Sequence, residues 1–163
     1  MSSLDLVLSM LMIPSAGEAQ SPRFWLEKGN ELCNCGQLQE ALLAYEHALS
    51  LDATLADAWN NKGMILANLG KLADALQCFD EVLKLSPRHA FTLCNKGMVL
   101  AQQQKHQEAL ALFDAAIDID PYFAGAWYNK SLAMQCLGRG RESMAAMKTA
   151  RKLDGSVSGC CRQ

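Results

Sequence analysis

Apolar and small residues in this chain fall at spacings of three and four, in paired short runs that recur every 34 residues. Between 56 and 89 the first run is Trp59, Gly63, Leu66 and the second is Ala75, Phe79, Val82, Leu83. Each run lies along one face of an α-helix, so the pattern predicts two short amphipathic helices, A and B. Asn68-Leu69-Gly70-Lys71 ends helix A, with Gly70 placed for the left-handed conformation that stops a helix. Pro87 and Pro121 close helix B, because proline cannot continue one. Segments 22–55, 56–89, 90–123 and 124–157 align in columns. Helix A gives Trp25, Trp59, Leu93, Trp127, then Gly29, Gly63, Gly97, Ser131, then Leu32, Leu66, Leu100, Met134. The turn gives Gly36, Gly70, Gln104, Gly138. Helix B gives Ala41, Ala75, Ala109, Ser143 and Tyr45, Phe79, Phe113, Met147, closing on Ala48, Val82, Ala116, Ala150. The small residues let helix backbones approach, the aromatic fills the wedge left by the crossing, and Trp59 is expected as a buried wedge against the preceding helix B. A helix of about 14 residues is only about 20 Å long and is marginal alone. Stability must therefore come from stacked neighbours, as in a repeat array.

These columns, carried by Trp59, Gly63, Leu66, Gly70, Ala75, Phe79, Val82, Pro87 and their counterparts, resemble the tetratricopeptide repeat (TPR) family over residues 22–157. The resemblance implies an all-α fold, a right-handed superhelix of four stacked helix-turn-helix units. Residues 1–21 form an apolar segment and linker before it, and 158–163 form a tail. It also implies a non-catalytic adaptor that binds an extended or helical segment of another protein in a concave groove. The fourth unit is the degenerate one: Ser131, Ser143 and Met147 replace core residues, and Arg151 replaces the aliphatic Leu49, Leu83 and Ile117. A polar outer face suits a terminal repeat. The array is expected to stop here without a further capping helix, which would leave Met144 and Met147 as contacts for a partner or for self-association.

In the family, the A helices line the groove. The sixth position of each unit reads Glu27, Asn61, Asn95, Asn129, a column that resembles the asparagine ladder with which some relatives clamp peptide backbones. A carboxamide both donates and accepts, so it can pair with a peptide's C=O and N–H together. Around the column lie Leu26, Asn30 and Cys33, then Asn60, Met64 and Ala67. Phe91, Cys94, Met98 and Ala101 follow, then Tyr128, Leu132 and Gln135. This mixed floor suits a peptide with a few apolar anchors. The positions that are basic in relatives gripping acidic chaperone C-termini are here Leu26, Phe91 and Asn95, so a peptide carboxylate would meet no cation there. Lys28, Lys62, Lys96 and Lys130 stand beside the glycine column, their stems along apolar surface and their ammonium groups in water.

Composition narrows the rest. With 163 residues, half of them hydrophobic, and a net charge of −2, the chain is one domain with ample core and no overall signal for a polyanion. The stretch from Arg139 to Gln163 carries net +4, and the remainder −6. No aromatic interleaving accompanies those basic residues, which argues against nucleic acid and leaves either a solvated helix end or a dock for an acidic partner. The seven cysteines form no C-x-x-C pair and have no histidine at ligand spacing, so free thiols in a cytoplasmic setting are expected, with no metal or cofactor. His47, His89 and His106 have no nucleophile at hand and are read as solvated surface, which with the absence of a phosphate loop argues against an enzyme and a small-molecule substrate. No run of eighteen apolar residues exists, so no membrane helix is expected. Residues 4–13 are apolar but carry Asp5 and no basic residue ahead of them, unlike a signal peptide. They read as a docking helix, with export the lesser reading. Cys160-Cys161-Arg162-Gln163 departs from a prenylation box at Arg162. Two rival functions remain from other classes: a chaperone for a secreted client, and a targeting or regulatory subunit docking through the basic C-terminal face.

Overall fold

A computed structural model describes residues 21–158, and the apolar N-terminal run and the Cys160-Cys161 tail lie outside the described residues. Among the described residues the regular elements are all α-helices. They are α1 (Pro22–Asn34), α2 (Leu38–Leu51), α3 (Ala56–Asn68), α4 (Leu72–Leu85), α5 (Ala90–Gln102), α6 (His106–Ile119), α7 (Ala124–Cys136) and α8 (Gly140–Ser158). Each 34-residue unit supplies one pair, odd-numbered helices being A and even-numbered ones B. The described residues divide into two compact units, one up to residue 62 and one from residue 63, and each is described by itself.

The punctuation read from sequence is what ends and starts these helices. Gly36, Gly70 and Gly138 have φ of 77°, 76° and 74°, and Gln104 takes the same conformation at 63° without glycine's freedom. Pro22 opens α1, where its missing N–H costs no helical bond, and the Ser21 hydroxyl accepts the Phe24 N–H at 3.4 Å. At α5 the cap is His89, whose Nδ1 accepts the Thr92 N–H at 3.2 Å. His89 is therefore a helix cap rather than solvated surface. His47 is likewise occupied, its ring 4.4 Å from that of the buried Trp25.

In the first unit α1 packs on α2, and Tyr45 is 1% exposed. A Cβ added to Gly29 would lie 2.5 Å from Tyr45 Cε1, which is why only glycine fits. The second unit repeats the contact at Gly63 against Phe79 and at Gly97 against Phe113. In the fourth repeat both partners change together. Met147 stands in the aromatic's place and Ser131 in the glycine's, with the Ser131 hydroxyl donating to the Tyr128 carbonyl at 2.7 Å. The Ser143 hydroxyl donates to the Ser131 carbonyl at 2.8 Å, so these buried hydroxyls are satisfied. Around Leu93, Leu100, Leu110, Phe113, Ile117 and Met134, the third and fourth repeats share one core.

Trp59 differs from its expected role. It and Trp127 are half-buried, while Trp25 is 4% exposed. The Trp59 and Trp127 indole N–H groups donate to the carbonyls of Ala53 and Pro121, each at 2.9 Å, pinning the preceding loop to the A helix. Lys62 and Lys130 place their ammonium groups 5.7 Å and 5.1 Å from those ring centroids. An indole that must reach a loop carbonyl and accept a cation on its face sits at the rim of the core, not inside it.

Candidate functional site: the exposed face of the A helices

In the second unit, α5 and α7 lie in direct contact. One stripe of α5 carries Phe91, Asn95 and Met98, spaced four and three apart, and α7 carries Tyr128, Asn129 and Leu132. Phe91 is 60% exposed, and Met98, Tyr128 and Leu132 are exposed too. The Phe91 ring rests on Phe123 with centroids 4.8 Å apart, so it is held in place rather than free to collapse. Asn95 and Asn129 are half-buried between these apolar groups, and Met64 is half-buried in the same unit. Cys94, expected on the floor, is buried instead, and burial pushes its thiol pKa up against the opposing pull of a hydrogen bond from Asn129.

That hydrogen bond changes the expected ladder. Asn129 Nδ2 donates to Cys94 Sγ at 3.4 Å. In the first unit Asn61 Nδ2 donates to Asn30 Oδ1 at 2.9 Å, and the Tyr45 hydroxyl donates to the same oxygen at 2.8 Å. Asn60 Nδ2 reaches Asn61 Oδ1 at 3.4 Å. Asn61 and Asn129 thus each commit an N–H to the preceding A helix, rather than projecting a wholly free carboxamide. What they retain, an acceptor lone pair and a second N–H, still suffices for a peptide group. Burial raises the Tyr45 pKa to about 12, with Cys33 adding to the shift and Asn61 opposing it.

The lysine column is more than a set of solvated ammonium groups. Lys62 pairs with Glu46 at 2.9 Å, Lys96 with Asp80 at 2.5 Å and Lys130 with Asp114 at 2.6 Å. Each acid is 16 residues earlier, on the preceding B helix. Glu46, Asp80 and Asp114 themselves recur every 34 residues, a column that the sequence displays but whose meaning needs the offset between repeats. Lys28 instead pairs with Glu31 of its own helix.

Among the described residues, no three His, Cys, Asp or Glu side chains are grouped to hold a metal. The five described cysteines are free thiols, and no described helix is long and apolar enough to cross a membrane. The A-helix face offers shape, apolar anchors and carboxamides.

Paired helices at a 34-residue period, with a small residue of A against an aromatic of B, define a helical repeat protein. Two family models match, one described as tetratricopeptide repeat over residues 54–121 and one as TPR repeat over 29–70. The chain belongs to the tetratricopeptide repeat family, whose members generally mediate protein–protein interaction. Among solved structures it is similar to a crystal structure of MamA at 20% identity and TM-score 0.77, covering 95% of this chain and 86% of that one. It is also similar to MamA 41-end from Desulfovibrio magneticus RS-1, at 28% identity and TM-score 0.73, covering 82% and 76%. A third is the first TPR of Spaghetti (RPAP3) bound to HSP90 peptide SRMEEVD, at 21% identity and TM-score 0.70, covering 74% and 95%. No curated protein matches the sequence.

Proposed function

We propose that this chain is a non-catalytic adaptor that holds an extended or helical segment of a partner protein against the exposed face of α5 and α7. The observation that carries the reading is the stripe of exposed Phe91, Met98, Tyr128 and Leu132 flanking Asn95 and Asn129. Four large apolar side chains kept in water by packed helices mark a surface meant to be covered. The two carboxamides between them would satisfy the backbone of whatever covers it, and the apolar groups would select side chains. A related TPR holds a heat-shock peptide ending in acidic residues. Here the stripe is uncharged, and Lys96 and Lys130 are already paired with Asp80 and Asp114. The segment taken should therefore be apolar in its anchors rather than acidic.

The test is site-specific photocrosslinking in the intact chain. A benzophenone side chain replaces Met98 or Leu132 in one set, and the exposed Gln107 or Ala111 of α6 in another. Partner adducts should form from α5 and α7 and should diminish when Phe91→Ala is added. Adducts confined to the α6 positions would move the binding face and sink the reading.

A further inference from the structure

The repeat-to-repeat contact has a fixed chemistry, and α8 inverts it. In the second unit one stripe of each B helix faces the next repeat: Leu76, Asp80, Leu83 on α4 and Leu110, Asp114, Ile117 on α6. Spacings of four and three put each trio on one face. On α6, where α7 covers the stripe, Leu110 is 3% and Ile117 7% exposed, and Asp114 receives Lys130. The same stripe on α8 reads Met144, Lys148, Arg151. Among the described residues no helix covers it, Met144 is 71% exposed, and Lys148 and Arg151 form no ion pair. An open concavity lies along this face, between Gln135, Arg141, Met144, Met147, Lys148 and Arg151.

We infer that this face is a second docking surface, which takes an amphipathic helix of a partner carrying carboxylates where the chain's own A helices carry lysine. The apolar part of the face, exposed Met144 with half-buried Met147 beside it, still asks for a helix laid across it as α7 lies across α6. The charge does not ask for another A helix of this chain. A helix with lysine at that register would bring its ammonium against Lys148, and like charges brought together at an interface cost heavily. The reversal therefore does two things at once. It disfavours head-to-tail stacking of a second copy through this contact, and it selects a helix of opposite charge, with one carboxylate for Lys148 and another within reach of Arg151. This surface is separate from the α5–α7 stripe and does not depend on the function proposed for it.

The probe is a pair of synthetic peptides copying residues 121–138, the stretch containing the helix that covers α6. Both carry Cys136→Ser and the same helix-stabilising staple on the outward face. One keeps Lys130 and the other has Lys130→Glu. Each is labelled and titrated by fluorescence anisotropy against the full chain. The glutamate peptide should bind about tenfold tighter or better, and Lys148→Asp in the protein should invert the preference, with the variant's fold checked by circular dichroism. Phe91→Ala should leave both affinities unchanged. Equal binding of the two peptides, binding by neither, or a preference indifferent to Lys148→Asp would each overturn the inference. Dependence on Phe91 in place of Lys148 would overturn it as well, by putting the peptide on the other face, and would leave the adaptor reading standing.

Discussion

At Gly97 the difference between a packed repeat and a strained one is a single methyl group. Its Cβ would sit 2.6 Å from Cε1 of Phe113, a ring that is 1% exposed and has no room to swing away. Alanine gains roughly 1 kcal/mol over glycine in helix propensity, but overpacking a filled core costs roughly 1–3 kcal/mol. Gly97→Ala should therefore destabilise by about 1 kcal/mol net, read as a lower urea midpoint, and an unchanged or higher midpoint would show that the ring can yield. Tyr45 makes a second residue-scale prediction. Its pKa is raised from 10.0 to about 12 by burial, so the folded state holds the phenolic proton after the unfolded state has lost it. The stabilisation is thus complete below pH 10 and is lost as pH rises towards 12. A spectrophotometric titration of the three tyrosines should show one ionising late, and Tyr45→Phe should flatten that part of the stability profile. The glycine and aromatic columns were legible in the sequence because both partners recur at one period. The cap at His89 was not, since histidine is outside the usual capping set and its role appears only once the Thr92 N–H is in place.

Between elements, the least legible feature was the pairing of one repeat's A helix with the previous repeat's B helix. The lysine column and the acid column are each plain at a 34-residue period, but nothing along the chain says that they meet. Only the stacking brings residue 130 to residue 114 rather than to another acid. The asparagine column was visible for the same reason as the lysines, and its hydrogen bonds back to the preceding A helix were hidden for the same reason. Trp59 and Trp127 show the limit from the other side: spacing put them on the buried stripe, while the loop carbonyls of Ala53 and Pro121 hold them at its rim. The lysine–acid pairs are partly exposed, 19% for Lys130 and 46% for Asp114, so screening keeps each one's worth modest. A double-mutant cycle of Asp114→Ala and Lys130→Ala should give a coupling energy of about 0.5–1 kcal/mol that shrinks in high salt. Strict additivity in low salt would mean that apolar packing alone sets the register.

Across the whole molecule, stability should follow how many neighbours cover each helix, because stacked repeats share energy only with those beside them. Within the second unit, α6 is flanked by α5 and by α7, which buries Leu110, Phe113 and Ile117. The last described helix, α8, packs on α7, with Ala146 and Ala150 buried there, and leaves Met144, Lys148 and Arg151 uncovered. The two are B helices of the same register, so the comparison isolates coverage from helix position. Opening α8 needs only its contact with α7 to break, whereas opening α6 must break contacts on two sides. Local opening free energies range from near zero at frayed edges to the global value in the core. The slowest amides of α6 should therefore exchange at least about tenfold more slowly than those of α8 under native conditions, measured by hydrogen exchange resolved to single helices. Adding the carboxylate-bearing helical peptide should slow α8 towards α6 and leave α6 itself unchanged. Equal protection of the two helices in the free chain would mean that the uncovered stripe of α8 is already covered in solution, and coverage would then have to be sought outside the described residues.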